Sequence, residues 1–201
     1  MEHDSSHPAK LAIILTLVLS LYACNNPFQT REPEKPGTGG VAIKPAITPE
    51  NVLDNLEVSF EGLSTQDYLD VFADDFAFHP DPDDSLLYEQ EFIGGWDIVK
   101  ETEFANNFLL RQNFVEVEGN PIEMTVSYEY MPGQGHFEFH YHMFIPLRNV
   151  SGTGFETVEI EGYAFLYLRE DDEGNWSIYD WEDHRLVAHS LTWSALRARH
   201  I

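Results

Sequence analysis

The stretch His136-Phe137-Glu138-Phe139-His140-Tyr141-His142-Met143-Phe144-Ile145-Pro146-Leu147 decides the fold class. Phe137, Phe139, Tyr141, Met143, Ile145 and Leu147 share one parity, and His136, Glu138, His140 and His142 share the other. Successive side chains of a strand point to opposite faces, so this pattern predicts a long strand with one buried and one polar face. The flanking segments repeat the pattern. On the N-terminal side, Ile122, Met124, Val126, Tyr128 and Tyr130 alternate with Glu123, Thr125, Ser127 and Glu129. On the other side, beyond Gly152 and Gly154, Val158, Ile160, Gly162, Ala164, Leu166 and Leu168 alternate with Glu159, Glu161, Tyr163, Phe165 and Tyr167. Asp171-Asp172-Glu173-Gly174-Asn175 predicts a turn. A last strand from Trp176 to near Arg185 then leads to a short helix around Leu191 to Ala198.

Upstream of these strands the period changes to that of a helix. Thr48-Pro49-Glu50 carries the signals of a helix start: an N-cap hydroxyl, proline at the first position and an acid in the first turn. Val52, Leu53, Leu56 and Phe60 then recur on one face. Ser64 or Thr65 caps a second short helix, with Tyr68, Leu69 and Phe72 inward. Phe76-Ala77-Phe78 predicts a short strand, stopped by His79-Pro80-Asp81-Pro82-Asp83-Asp84, which reads as a solvated turn. A third helix is predicted from Trp96 to Phe108, buried along Trp96, Val99, Phe104 and Phe108. Three helices followed by long antiparallel strands with one apolar face predict an α+β domain over residues 47–201, its helices packed on one side of the sheet.

The first 46 residues read differently. Leu11-Ala12-Ile13-Ile14-Leu15-Thr16-Leu17-Val18-Leu19-Ser20-Leu21 follows Lys10 and precedes Tyr22-Ala23-Cys24. It is too short to span a bilayer, which needs roughly 20 apolar residues, and it has the form of an export-signal core. Leu21-Tyr22-Ala23-Cys24 resembles the bacterial lipobox, which implies a signal peptide over 1–23 and lipidation of Cys24. Asn25 then follows the lipidated residue where an aspartate would imply retention in the inner membrane. The expectation is a bacterial cell-envelope protein on the periplasmic face of the outer membrane, with the lipid bilayer as a partner through Cys24. Residues 24–46 hold Pro27, Pro33, Pro36, Pro45, Gly37, Gly39 and Gly40 without apolar period, and read as a flexible tether. The 35 acidic against 11 basic residues give a net charge of −24, which argues against nucleic acid as a partner. A single cysteine excludes an internal disulfide and a thiolate metal cluster.

Thr48-Pro49-Glu50-Asn51-Val52-Leu53, Asp75-Phe76-Ala77-Phe78, Trp96, Trp176-Ser177-Ile178 with Trp181-Glu182-Asp183, and Leu191-Thr192-Trp193 resemble uncharacterised bacterial lipoproteins of the nuclear transport factor 2-like superfamily. That superfamily includes ketosteroid isomerases and polyketide cyclases. The resemblance implies a cone, with the sheet curled around the helices and an apolar pocket at its open end. No catalytic motif of those enzymes maps onto this chain residue by residue.

The parity of the strands marks the candidate site. Trp96, Met124, Val126, Phe139, Met143, Trp176, Ile178 and Trp181 are expected to line the pocket. Asp180 shares parity with Trp176 and Ile178 and is expected to face inward; a bulge near Trp181 would bring Asp183 inward instead, because one extra residue exchanges the faces. Either carboxyl, desolvated there, is a candidate general base, with Tyr128 and Tyr141 as donors to a developing oxyanion. The competing expectation is structural, with the aspartate capping a helix or pairing with Arg185. His140 and His142, with His136, Glu138, Glu159 and Glu161 nearby, have spacing suited to a cation. They are nonetheless expected to form cross-strand pairs on a solvated or dimer-forming outer face, with no metal and no cofactor. The function expected is a membrane-anchored lipoprotein binding an apolar small molecule or a protein partner, with a homodimer through the outer sheet face. The alternative is an isomerase, dehydratase or cyclase with a pocket aspartate as base.

Overall fold

Helix α1 (Pro49–Glu61) begins as its sequence dictates, with the Thr48 hydroxyl accepting the Asn51 N–H at 3.3 Å. It turns Val52, Leu53, Leu56 and Phe60 inward, all fully buried. A computed structural model describes residues 42–113, 122–148 and 155–201, so Cys24 and the export segment lie outside the described residues. Helix α2 (Thr65–Leu69) starts at Ser64 and buries Tyr68. Phe72, expected on that helix, belongs instead to strand β1 (Phe72–His79). Two short helices follow, α3 (Pro82–Leu87) and α4 (Glu89–Phe92), where a simple turn was expected. Helix α5 (Ile98–Asn113) begins after Trp96, with Asp97 accepting the N–H groups of Val99 and Lys100 at 3.1 Å each. Val99, expected in the buried stripe, is 70% exposed, while Trp96, Phe104 and Phe108 are buried as expected, with Ala105 and Leu109 beside them.

Strands β2 (Glu123–Met131), β3 (His136–Arg148), β4 (Phe155–Glu170) and β5 (Trp176–Arg185) run antiparallel in sequence order. The sheet order is β1-β5-β4-β3-β2, and β1 joins the edge parallel to β5. The sheet is therefore mixed, because the chain crosses from β1 through helices before it returns beside it. The α+β class holds: one face of a curved, unclosed sheet packs on the helices. Phe137, Phe139, Tyr141, Met143 and Ile145 of β3 are all inward and buried, as their parity requires.

Contacts of the domain begin before the expected start at residue 47. Lys44 and Asn55 exchange two hydrogen bonds of 2.8 Å, and the Trp176 N–H donates to the Ala46 carbonyl at 2.6 Å. Residues 44–46, read as the end of the tether, are thus held to the domain. At the other terminus, helix α6 (Trp193–Ala198) is buried along every residue it contains. Its Trp193 meets Trp181 edge-on with ring centroids 4.7 Å apart, and Phe60 with centroids at 5.0 Å.

Arg197 of α6 is completely buried, and its guanidinium donates to both Glu101 oxygens, at 2.9 and 3.0 Å. Tyr68 Oη and Trp96 Nε1 also donate to Glu101, the latter at 2.7 Å, so each carboxylate oxygen accepts two bonds. The rings of Phe78 and Trp181 lie against the guanidinium, with centroids 4.1 and 4.4 Å from Cζ. Burial opposes the Arg197 charge, but the neighbouring Glu101 and Tyr68 outweigh it and hold the pKa above its ordinary value. Removing one member of such a pair leaves the other charge buried and alone, which costs about 3–5 kcal/mol. Glu101→Ala is expected to lose stability on that scale in urea unfolding. Glu101→Gln combined with Arg197→Met is expected to recover most of the loss.

Candidate functional site

The candidate site is the polar hub that receives the start of α6. A helix start leaves backbone N–H groups without helical partners, and buried ones must find acceptors elsewhere. The Trp193 N–H donates to Tyr141 Oη at 3.0 Å, the Ser194 N–H to Asp183 Oδ2 at 2.7 Å, and the Ala195 N–H to Thr192 Oγ1 at 3.2 Å. Asp183 accepts two further bonds, from Ser194 Oγ at 2.5 Å and from Tyr141 Oη at 2.7 Å onto Oδ1. Both carboxylate oxygens are engaged, in a position only 1% exposed. Burial raises the Asp183 pKa above its ordinary value of 3.8, while the bonds from Ser194 and Tyr141 pull against that rise. The Tyr141 pKa is raised by burial and by Asp183.

Tyr141 reaches this hub by lying across β4. Its register partner is Gly162, where an added Cβ would stand 2.6 Å from Tyr141 Cζ and 2.7 Å from the His184 carbonyl oxygen. A side chain there would displace the phenol.

Asp183 faces inward because β5 is bulged. Leu168 pairs with Ile178 but Tyr167 pairs with Asp180, so Tyr179 is the extra residue. Ile178, Trp181 and Asp183 are therefore all buried. The expectation that Asp180 faces inward is corrected: it stands on the other face, with its side chain 25% exposed and Oδ2 3.1 Å from His79 Nε2. Of the other candidates, Asp183 and Tyr141 are joined by a hydrogen bond and Tyr128 stands apart from them. Tyr128 is partly exposed and donates to Asp54 at 2.8 Å, far in sequence and in contact from Asp183. Burial and the Asp54 charge push its pKa up.

The acidic turn that sequence reading left in solvent is part of the same hub. Asp81 and Asp84 are 6% and 2% exposed. Asp81 caps α3 and accepts the Arg185 N–H at 2.9 Å, and its own N–H donates to Ser194 Oγ at 2.9 Å. Asp84 accepts from Thr192 Oγ1 at 2.5 Å and pairs with Arg185 at 2.7 Å. The available signal was Asp81-Pro82-Asp83-Asp84 itself, an N-cap acid followed by proline at the first helical position.

The expected pocket is largely filled. Trp96, Met124, Phe139, Met143, Ile178 and Trp181 are core residues, 5% exposed or less, packed with the side chains of α6. Val126 packs partly buried against them. Trp176 alone of the expected set lines a described cleft, of about 410 Å³, with Pro49, Glu50, Tyr130, Phe137 and Leu168. On the outer sheet face, His140 pairs with Glu138 and His142 with Glu159, each at 2.7 Å, and Glu161 completes a group whose ligand atoms lie within 4.8 Å of one another. His136 is buried there between Phe165 and Tyr167, with ring centroids at 4.5 and 5.2 Å.

Asp183→Asn keeps the shape but offers one acceptor oxygen in place of two. It is expected to lower stability by about 1–3 kcal/mol. With its pKa raised on folding, Asp183 binds more protons folded than unfolded, so its contribution is whole below pH 3.8 and falls as pH rises through the folded value. The deficit of the variant is therefore expected to narrow from acid toward neutral pH, read by thermal melts. A deficit that widens with pH would contradict this assignment.

No protein-family model matches the chain, and no curated protein matches its sequence. Among solved structures it is similar to a ketosteroid isomerase-like protein from Erwinia carotovora atroseptica, at 10% identity and a TM-score of 0.44, over 69% of this chain and 93% of that one. It is similar to LinA at 11% identity and a TM-score of 0.43, over 67% and 80% of the two chains. A protein of unknown function with a cystatin-like fold from Nostoc punctiforme matches at 12% identity and a TM-score of 0.42, over 71% and 90%.

Proposed function

We propose that this chain is a bacterial envelope lipoprotein, anchored through Cys24, whose domain binds an apolar small molecule in the cleft beside Trp176. The cleft carries the proposal. Its volume of about 410 Å³ suits a small ligand, and Pro49, Tyr130, Phe137, Leu168 and Trp176 give it an apolar wall with Glu50 as a polar group at its edge. The chain enters the domain beside it, since the Trp176 N–H holds the Ala46 carbonyl.

The isomerase-type alternative rests on Asp183. A general base needs an open path to its substrate, whereas Asp183 is only 1% exposed and three of its roughly four acceptor positions are taken by Tyr141 and Ser194. The binding reading is favoured for that reason.

Titration with the neutral probe N-phenyl-1-naphthylamine is expected to raise probe emission saturably. Trp176→Ala is expected to weaken binding about tenfold, corresponding to roughly 1.4 kcal/mol, and Asp183→Asn to leave it unchanged. Equal binding by wild type and Trp176→Ala would move the ligand site elsewhere. For the anchor, metabolic labelling with a fatty-acid analogue is expected to mark the wild type and not Cys24→Ser, and equal labelling of both would end the lipoprotein reading.

A further inference from the structure

On the outer sheet face, His142 of β3 stands directly opposite Glu161 of β4, and Glu159 is two residues away on the same face. Neither the cleft nor the buried hub uses these groups. The imidazole and the two carboxylates bring their ligand atoms within 4.8 Å of one another, and His142 Nε2 already stands 2.7 Å from Glu159 Oε1. We propose that His142, Glu159 and Glu161 form a three-ligand site for a divalent transition-metal ion.

The distances suit the chemistry. Bonds of about 2.0–2.2 Å in tetrahedral geometry separate ligand atoms by about 3.4 Å. The group needs only side-chain rotation to reach that spacing, because strand pairing already fixes the three Cα positions. The sequence pattern offered His140 and His142 with Glu159 and Glu161 from the next strand; the register of β4 decides among them by placing Glu161 opposite His142. His140 is not in the group and pairs with Glu138 instead. His142 and Glu159 are 42% and 59% exposed, so an ion has access from solvent and water can complete its shell. Two carboxylates held close repel one another, and a chain with a net charge of −24 adds to the attraction for a cation. One imidazole with two carboxylates suits zinc or a neighbouring first-row ion, whereas calcium takes six to eight oxygens.

The test uses the full chain, stripped with EDTA and titrated with Zn²⁺ against a zinc chromophore. One zinc per chain is expected, with affinity weakened about tenfold or more in His142→Ala and in Glu161→Gln. His79→Ala, which removes an exposed histidine paired with Asp180, is expected to bind as wild type does. Circular dichroism checks each variant, and Glu159→Gln, at the most exposed of the three positions, tests the same site with the least risk to folding. Failure to compete for zinc, unweakened binding in both His142→Ala and Glu159→Gln, or equal displacement by Ca²⁺ overturns the proposal.

Discussion

The contact on which the interior depends is the buried bond between Arg197 and Glu101, which ties the last helix of the chain to the longest helix before the sheet. A guanidinium taken out of water is costly unless paired and bonded in full, and here Glu101 neutralises it while Phe78 and Trp181 cover its faces. Tyr68 and Trp96 use the same carboxylate as their acceptor. Four elements thus converge on one anion: α2, the segment before α5, α5 itself and α6. An ion pair of this kind is weak evidence for stability in itself, since two apolar residues can fill the same space. It does fix where α6 sits, because no other position of that helix satisfies Arg197.

The start of α6 imposes a second constraint, and it explains the polar residues of the strands. Three N–H groups of its first turn are buried, and Tyr141, Asp183 and Thr192 accept them one each. Asp81, Asp84 and Arg185 brace these acceptors from behind. Asp183 serves the helix, and the perturbation of its pKa is the consequence of burying an acceptor where backbone amides need one.

With the interior committed to α6, binding surfaces are displaced outward. The cleft beside Trp176 lies next to the segment that holds Ala46, and the His142, Glu159 and Glu161 group lies on the outer face of the sheet. The two readings are independent of each other, since they share no residue. The buried His136 among Phe165 and Tyr167 also shows that this outer face is more apolar than the parity of β3 alone suggests.

The alternation in β2, β3 and β4 and the capped period of α1 were legible in the chain, because local propensity and one-sided burial act on neighbouring residues in the same sense. So were the inward residues of β3 from Phe137 to Ile145, each of which is buried. Both registers of β5 were foreseeable and the choice between them was not, since Tyr179 has no property that distinguishes a bulged position from a paired one. The bulged register holds, and Asp183 rather than Asp180 faces inward. The fate of Asp81 and Asp84 was hidden for another reason: their partners Ser194, Thr192 and Arg185 lie more than a hundred residues away. Gly162 illustrates both limits, as its place in the strand pattern was evident and its role under Tyr141 was not. Periodicity records which face a residue takes within its own element. Whether the space beyond that face is an open pocket or is filled by a helix from the far end of the chain depends on long-range packing, and here α6 fills it.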